Sequence, residues 1–279
     1  MKRFISMAAA LVLMAAPAFA SEHGHHEGGH AGVAAEHHGH HGPVADKVIA
    51  EQRKALAKNT KGKGFGPQSP RDIDAPAGKN HRLFSAAPAS TEMSLCNIHF
   101  HKNAEHKARD FSIYAGNGNG EGYQSGYRYD TAGLSKAELA PSQHKVCDTP
   151  HSSLKSGDTI EVHYVYSTAQ VNPGPTLGSC LSKAINNPQL RVETQVFVLV
   201  NDKHALNFKK LAKFAKNKSG RYQASGIPAN TGTPVEYAGS TTGPGYNEKG
   251  SPFQVTWSVR PQVAKVNIAS VGKWCEKNV

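Results

Sequence analysis

The chain has 279 residues, enough for one sizeable domain in addition to short terminal segments. It carries 32 Lys and Arg residues against 21 Asp and Glu residues, and the formal net charge of +11 excludes an acidic or neutral protein. After residue 20 no hydrophobic run is long enough to cross a bilayer, which argues against stable membrane insertion.

Residues 1–20 have the pattern of a secretory signal peptide. Lys2 and Arg3 precede an apolar run, and residues 18–20 (AFA) supply small side chains for cleavage after Ala20. We therefore expect the mature protein in the periplasm or outside the cell. An exported protein rarely meets nucleic acid, so none is expected as a partner, and no pattern in the sequence specifies an oligomeric state.

Residues 21–62 lack the large apolar side chains that a core requires, and they are expected to form a disordered linker. Eight of the 16 histidines lie there, at positions 23, 25, 26, 30, 37, 38, 40 and 41. Such a segment can capture zinc or copper, and it can equally be a solubilising tail that binds metal only adventitiously. A short amphipathic helix is predicted at residues 44–57.

Residues 63–279 are expected to form a single, mainly β domain with few surface helices. Short alternating or apolar runs between Gly, Pro, Asn and Ser predict strands at residues 93–101, 112–114, 159–167, 190–200, 253–259 and 263–268. Residues 207–216 place Leu211, Phe214 and Ala215 on one helical stripe surrounded by lysines. This pattern predicts a solvated surface helix rather than a binding patch.

The first predicted strand contains a pair of histidines. Side chains alternate faces along a strand, so His99 and His101 point to the same side, about 6.7 Å apart along the chain. Ile98 and Phe100 supply an apolar opposite face. Three neutral imidazoles with an open fourth position are typical of a catalytic zinc site, so a third histidine is needed from elsewhere.

The strand predicted at residues 159–167 offers that histidine. Glu161, His163 and Val165 share one face, and the opposite face is apolar or aromatic. If this strand pairs with the strand of His99 and His101, three imidazoles converge on one tetrahedral site. Glu161 would then accept a hydrogen bond from a ligand histidine and fix its orientation. The other histidines of the domain, at positions 81, 106, 144, 151 and 204, have no such neighbours.

Four cysteines in an exported chain predict two disulfides, for which three pairings are possible. We favour Cys147 with Cys180 and Cys96 with Cys275. Cys147 precedes the strand of His163 and Cys180 follows it, so a bridge between them would hold that strand in register.

Several segments resemble, in chain order, the motifs of alpha-class carbonic anhydrases. Residues 68–73 (QSPRDI) are similar to their QSPxDI segment, residues 99–101 with 105–106 to their HFHW…SEH block, residues 161–163 to their ELH strand, residues 237–244 to their YxGSLTTPP loop, and Trp257 to the tryptophan of the strand that follows. Residues 95–107, taken whole, are closer to delta-class carbonic anhydrases. The resemblance extends over residues 68–274.

The resemblance implies an alpha-carbonic-anhydrase-like domain built around a large central, mostly antiparallel sheet. It implies reversible hydration of carbon dioxide to bicarbonate and a proton, with Zn²⁺ bound by His99, His101 and His163. It further implies that the Thr242 hydroxyl accepts a hydrogen bond from zinc-bound hydroxide and donates one to Glu105.

The sequence also departs from the alpha-class pattern. His101 and His163 are farther apart than the matching histidines of that class, which identifies residues 116–126 and the region of Cys147 as insertions. Gly243 replaces a second threonine of the loop, so Thr241 is an alternative to Thr242. His81 lies near the expected place of a proton shuttle, and the His-rich segment or buffer are alternatives to it.

Two other functions are open at this point. Cupins also contain two histidines followed by a glutamate, as in His99, His101 and Glu105, and Glu105 would then be a fourth ligand of iron, manganese or zinc. The His-rich segment alternatively indicates a non-catalytic exported protein that binds or buffers zinc. Removal of residues 21–62 distinguishes a buffering protein from an enzyme, because a buffer would lose most of its metal and an enzyme would keep one tight equivalent and its activity.

Overall fold

The structure is a computed structural model, and it describes residues 43–63, 72–75, 85–149, 152–240, 248–251 and 253–278. The signal peptide, the His-rich segment up to residue 42, residues 68–71, His81, Thr241 and Thr242 lie outside these ranges. The described elements are α1 (Asp46–Thr60), β1 (Ser94–Lys102), β2 (Ile113–Asn117), β3 (Ser125–Arg128), β4 (Val146–Thr149), β5 (Ser152–Leu154), β6 (Thr159–Ser167), β7 (Leu190–Val200), α2 (Phe208–Leu211), β8 (Phe214–Lys216), β9 (Tyr222–Ala224), β10 (Val235–Gly239), β11 (Val255–Val259), β12 (Ala264–Asn267) and α3 (Ile268–Asn278).

Six strands form a central sheet in the order β1-β6-β7-β11-β10, and β12 also pairs with β7. The pairs β1–β6, β6–β7 and β10–β11 are antiparallel. β11 and β12 run parallel to β7, beside residues 190–194 and 197–200 respectively. The sheet is therefore mixed, with mostly antiparallel pairing. The strands predicted at residues 159–167 and 190–200 coincide with β6 and β7.

The two faces of the sheet carry separate hydrophobic cores. The helix-side core includes Phe100, Tyr164, Phe197, Phe208 and Val271. The site-side core includes Phe111, Val165, Val192, Val255 and Trp257. Every residue of β6 is buried, and its even-numbered side chains from Ile160 to Tyr166 pack in the helix-side core whereas Val165 packs in the site-side core. The polar residues Glu161 and His163 therefore lie on the same face of β6 as Val165.

Helix α1 packs on the ribbon formed by β2 and β3. Gln52 Nε2 donates a hydrogen bond to Gly120 O (2.5 Å), and Val44 N donates to Gly118 O (3.0 Å). Asn117 Nδ2 donates to the Val44 carbonyl and to Asp46 Oδ1, each at 2.8 Å. The predicted helix is confirmed. It lies within the segment expected to be a linker, and its hydrogen bonds join that segment to residues 117–120.

The surface helix predicted at residues 207–216 is wrong in extent. α2 has four residues, and the chain then enters β8, the first strand of a hairpin with β9. Phe208 and Leu211 are buried in the helix-side core, but Phe214 is 43% exposed. After α2 the chain pairs with β9 instead of continuing as a helix, and Ser225 N donates to the Lys213 carbonyl. Residues 217–221 form the turn between the two strands, and Tyr222 packs against the same core.

The structure contains two disulfides, and both predicted pairings are wrong. Cys96 is bonded to Cys180, and Cys147 is bonded to Cys275. The segment after β6 returns to β1, where Gly174 N donates to the Cys96 carbonyl, and this return brings Cys180 to Cys96. Cys147 lies in β4, which packs against α3 and its Cys275. Proximity along the chain was misleading because the two cysteine pairs lie in cores on opposite faces of the sheet.

Helix α3 was not predicted, and it closes the helix-side core with Ile268, Val271 and Cys275. Its first residues directly follow β12, so the apolar run predicted as one strand at residues 263–268 ends where the helix begins. In the part of the chain that the structure describes, no helix has both the length and the apolar character needed to span a membrane.

Candidate metal centre

Three histidines meet on the site-side face of β1 and β6. His99 is the register partner of His163, and His101 is the partner of Glu161. The ring centroids are 5.1 Å apart for His99 and His101, 5.0 Å for His99 and His163, and 4.9 Å for His101 and His163. The strand pairing on which the sequence analysis depended is present, and it brings the three imidazoles into a nearly equilateral triangle.

The geometry of this triangle fits a single tetrahedral metal ion. One ring nitrogen from each histidine lies within 4.8 Å of the others. His163 Nδ1 and His99 Nε2 are 3.2 Å apart. Two imidazole nitrogens bound to the same zinc at 2.0–2.1 Å would be about 3.3 Å apart. His99 and His163 are buried, and His101 is partly exposed.

Asn97 orients His99. Asn97 lies two residues before His99 and therefore on the same face of β1. Its Oδ1 is 2.5 Å from His99 Nδ1, and its Nδ2 donates to Gly174 O at 2.9 Å. Since the amide donates to Gly174, its oxygen is left to accept the Nδ1 proton of His99. The Nε2 lone pair of His99 then points towards the other two histidines.

Glu161 orients His163 through Nε2, the ring nitrogen that does not face His99. Its Oε1 is 2.7 Å from His163 Nε2 and 2.7 Å from His106 Nδ1, and its Oε2 accepts from the backbone N–H of His106 at 3.0 Å. Burial raises the pKa of this carboxyl, but the nearby charge of His106 and the hydrogen bonds from both histidines outweigh burial and hold its pKa well below the usual range. Ionised Glu161 accepts the Nε2 proton of His163, which leaves Nδ1 as the ligand atom.

His106 and Tyr237 extend this network, and the sequence analysis missed both roles. His106 is fully buried, and its Nε2 lies 2.5 Å from Tyr237 Oη. His106 Nδ1 donates to Glu161, so when the ring carries a single proton its Nε2 accepts the proton of Tyr237 Oη. The Trp257 ring packs against His106 and His163, at 4.8 and 5.0 Å between centroids.

The side chains of His106, Glu161 and His163 form a second group with the composition of a metal site. Glu161 Oε1 lies only 2.7 Å from each histidine nitrogen, a normal distance for a charge-assisted hydrogen bond and short for two ligands of one ion. The first triangle, where nitrogens face each other at 3.2 Å, is the better candidate.

Glu105 borders the triangle without belonging to it. Its carboxylate oxygens are 3.8 Å from His101 Nδ1 and 4.0 Å from His163 Nε2. The preceding residue, Ala104, exchanges two backbone hydrogen bonds with Tyr127 of β3, at 2.7 and 2.8 Å. Gly126 allows this close approach, because a Cβ there would lie 2.0 Å from the Ala104 carbonyl oxygen.

A family model described as delta carbonic anhydrase matches residues 90–270, a span that contains all three histidines and every strand of the central sheet. The chain belongs to the delta carbonic anhydrase family. It is similar, at 16% identity, to the alpha-carbonic anhydrase of Thermovibrio ammonificans solved with the inhibitor sulfanilamide, over 86% of this chain and 89% of that one, with a TM-score of 0.28. No sequence among the curated proteins matches the chain.

Membership of the delta carbonic anhydrase family confirms the resemblance and identifies the protein as a carbonic anhydrase, so the cupin interpretation is not retained. Of the predicted site residues, the structure brings together His99, His101, His163, Glu161 and Glu105. Thr242 and its alternative Thr241 follow directly after Ser240, a buried residue at the end of β10, but they lie outside the described residues, as does His81.

Proposed function

We propose that this carbonic anhydrase is an exported zinc enzyme that reversibly hydrates carbon dioxide to bicarbonate and a proton. His99 Nε2, His101 and His163 Nδ1 would hold the zinc. The observation that carries the proposal is the separation of 3.2 Å between His99 Nε2 and His163 Nδ1, with each opposite ring nitrogen committed to a fixed acceptor. The cleaved signal peptide expected at residues 1–20 supports export to the periplasm or beyond.

Zinc, when bound, makes water acidic enough to act as hydroxide at neutral pH, as is known for carbonic anhydrases. The protein's own groups prepare the site for it. Asn97 accepts a hydrogen bond from Nδ1 of His99 and Glu161 accepts one from Nε2 of His163, so the other nitrogen of each ring is left to offer a lone pair to the same point. Neither ring needs to rotate before it binds the metal.

Glu105 and Thr242 would orient the attacking oxygen. Glu105 is an acceptor beside the triangle, at 3.8 Å from His101 and 4.0 Å from His163. If the Thr242 hydroxyl donates its proton to this carboxylate, its oxygen can only accept a hydrogen bond from the nucleophile. That arrangement aims a lone pair of the nucleophile at carbon dioxide.

The apolar side of the site would receive carbon dioxide. Val165, Val192 and Trp257 belong to the site-side core, and the Trp257 ring is 5.0 Å from the ring of His163. A small molecule without charge gains from contact with such side chains, whereas the charged product is released more readily from them. The proton would leave through His81, the His-rich segment or buffer.

The decisive experiment is a stopped-flow assay of carbon dioxide hydration with the purified mature protein. We expect one tightly bound zinc per chain, with activity lost on chelation and restored by zinc. His163→Ala should lose the metal and the activity together, whereas His204→Ala, on the exposed turn before α2, should keep both.

The histidines before residue 43 need a separate control. Deletion of residues 21–42, which leaves α1 on its ribbon, should keep one zinc and the hydration activity if the protein is an enzyme. Loss of nearly all bound metal in this variant would favour a zinc-buffering protein. Full zinc occupancy in His163→Ala with residues 21–42 deleted would contradict the assigned ligands.

A further inference from the structure

Residues 209–224, the basic ribbon, form a strongly charged surface that carbon dioxide hydration does not require. The ribbon comprises the end of α2, the hairpin of β8 and β9, and the turn between these strands. It carries six cationic residues, Lys209, Lys210, Lys213, Lys216, Lys218 and Arg221. The sequence contains no Asp or Glu between Asp202 and Glu236. Positive charge is therefore concentrated here without the interspersed acids usual on a protein surface.

These charges are available to a partner. All five lysines of the basic ribbon are exposed, and among the described residues none of its six cationic side chains forms an ion pair. Lys216 Nζ lies over the Tyr222 ring at 5.0 Å, a contact that leaves the ammonium group facing solvent on its other side. Glu92 lies in the short turn that contacts β9 through Ser90.

The turn and strands of the basic ribbon are held by hydrogen bonds and by packing on the core. Asn217 Oδ1 accepts from Ser219 N at 2.9 Å and from Arg221 N at 3.0 Å, which fixes the turn. On the underside, Gln223 Nε2 donates to Met93 O at 2.7 Å, and Tyr222 packs against the helix-side core. The lysines thus project from a structure that does not have to fold on binding.

An exposed aromatic side chain lies among the charges. Phe214 is 43% exposed, and Lys213 and Lys216 are close to it in sequence on the same strand region. Its ring meets Tyr222 edge to face at 5.7 Å between centroids. Lysines around an exposed aromatic ring match a surface that is anionic in its outer layer and apolar beneath, which describes a bilayer of anionic phospholipid.

The position of the ribbon is compatible with catalysis at such a surface. The basic ribbon packs on the helix-side core, whereas the three histidines lie on the opposite, site-side face of the sheet. A bilayer in contact with Phe214 would therefore leave the metal centre open to dissolved substrate.

We propose that the basic ribbon docks the protein on an anionic phospholipid surface, with Phe214 entering the headgroup layer and the metal centre facing the solvent. The interaction is peripheral and adds nothing to the reaction itself, so it stands independently of the proposed zinc mechanism. It weakens as salt rises, because the Debye length falls to about 8 Å at physiological ionic strength.

The test is co-sedimentation of the mature protein with phosphatidylcholine vesicles that contain about one third phosphatidylglycerol, against pure phosphatidylcholine. We expect binding only to the anionic vesicles, and a loss of at least about tenfold in affinity for Lys213→Glu/Lys216→Glu. Lys136→Glu/Lys183→Glu is the matched control, because it makes the same change in net charge at exposed lysines elsewhere and should keep most of the binding. Circular dichroism and hydration activity verify that both variants are folded.

Two further measurements separate the membrane from other partners. Phe214→Trp should shift its emission to shorter wavelength on vesicle binding and be quenched by brominated lipid, because the side chain leaves water. Equal binding by Lys213→Glu/Lys216→Glu and the unaltered protein would overturn the proposal, and so would an equal loss in the control variant. If a DNA fragment bound to the same lysines more tightly than the anionic vesicles do, the proposal would be overturned and the partner would be a dissolved polyanion.

Discussion

At the scale of single residues, Glu161 is the side chain on which the orientation of His163 depends. Its two oxygens accept three hydrogen bonds, from two imidazoles and one backbone N–H. In Glu161→Gln the amide nitrogen would face both ring N–H groups if it took the place of Oε1, or the His106 backbone N–H if it took the place of Oε2, so at least one contact becomes donor against donor. We expect zinc affinity to fall by about 10- to 100-fold, measured by competition with a chelator.

Glu193→Gln is the control for this prediction. Glu193 lies on β7, where its Oε1 accepts from Arg191 Nε at 2.7 Å, on the opposite face of the sheet from the metal centre. This variant should keep the zinc affinity of the unaltered protein. Equal affinity in Glu161→Gln would mean that Glu161 does not position His163.

Two buried tyrosines on β6 differ in one hydrogen bond. Tyr164 Oη is buried without a hydrogen-bond partner in the described parts of the chain, whereas Tyr166 Oη accepts from Ala224 N at 3.3 Å. Tyr164→Phe should leave the free energy of unfolding unchanged or raise it, because it removes an unsatisfied polar atom. Tyr166→Phe should lower it by about 1 kcal/mol. Denaturant unfolding of both variants measures the difference, and a larger loss in Tyr164→Phe would contradict the assignment.

The sequence was sufficient for the part of the site that depends on strand periodicity. His99 and His101 are two residues apart, as are Glu161 and His163, and alternation alone places each pair on one face. Periodicity has no information on contacts between distant segments. His106 Nδ1 reaches Glu161 across 55 positions of the chain and its Nε2 reaches Tyr237 across 131, so this network required the fold. The family resemblances at residues 105–106 and 237–244 were the available signals for it.

At the scale of elements, the disulfide between Cys96 and Cys180 supports the metal centre. Cys96 precedes Asn97, which binds Gly174 in the segment that leads to Cys180. Replacing Cys96 and Cys180 with serine should weaken zinc binding and destabilise the fold by about 4–5 kcal/mol, the scale expected for a loop of this length. Chelator competition and denaturant unfolding measure the two effects.

The second disulfide provides the matched comparison. Cys147 and Cys275 close a longer loop, 128 residues against 84, but they lie in the helix-side core. Their replacement with serine should cost similar stability and leave zinc affinity nearly unchanged. If both double variants lose zinc to the same extent, the first disulfide has no specific role at the metal centre.

Elements were predictable where burial alone decides the pattern. β6 and β7 are buried on both sides, so their long apolar runs match their observed bounds. The region of α2 and β8 was not predictable, because Phe208 and Leu211 have helical spacing but the chain beyond them is fixed by a turn and by packing of Tyr222. The segment from residue 263 to the end divides between strand and helix, and no Gly or Pro in the sequence marks the boundary.

At the scale of the whole molecule, one carboxylate gives a specific pH dependence. Hydrogen bonds from Lys265 and Ser135 lower the pKa of Glu138 to about 2, from an ordinary value of 4.5. This carboxylate binds its proton more weakly in the folded protein than in the unfolded one. Its contribution to stability is therefore complete above pH 4.5 and disappears as the pH falls towards 2.

Glu138→Gln should accordingly make the free energy of unfolding fall less steeply between pH 4.5 and pH 2. Denaturant unfolding at several pH values measures the slope, with Glu276→Gln on the exposed side of α3 as the control. An unchanged slope in Glu138→Gln would show that the hydrogen bond from Lys265 does not lower the pKa of this carboxylate when the protein is in solution.

The pairing of the four cysteines has a consequence for biosynthesis. Along the chain the first cysteine bonds to the third and the second to the fourth, so no two consecutive cysteines are native partners. A chain that crosses a membrane N-terminus first exposes Cys96 and Cys147 to oxidants before Cys180 arrives, and the earliest bond available to it is a wrong one. Thiol–disulfide exchange must then undo that bond. For the export that we propose, correct pairing therefore calls for an isomerase in the receiving compartment as well as an oxidase.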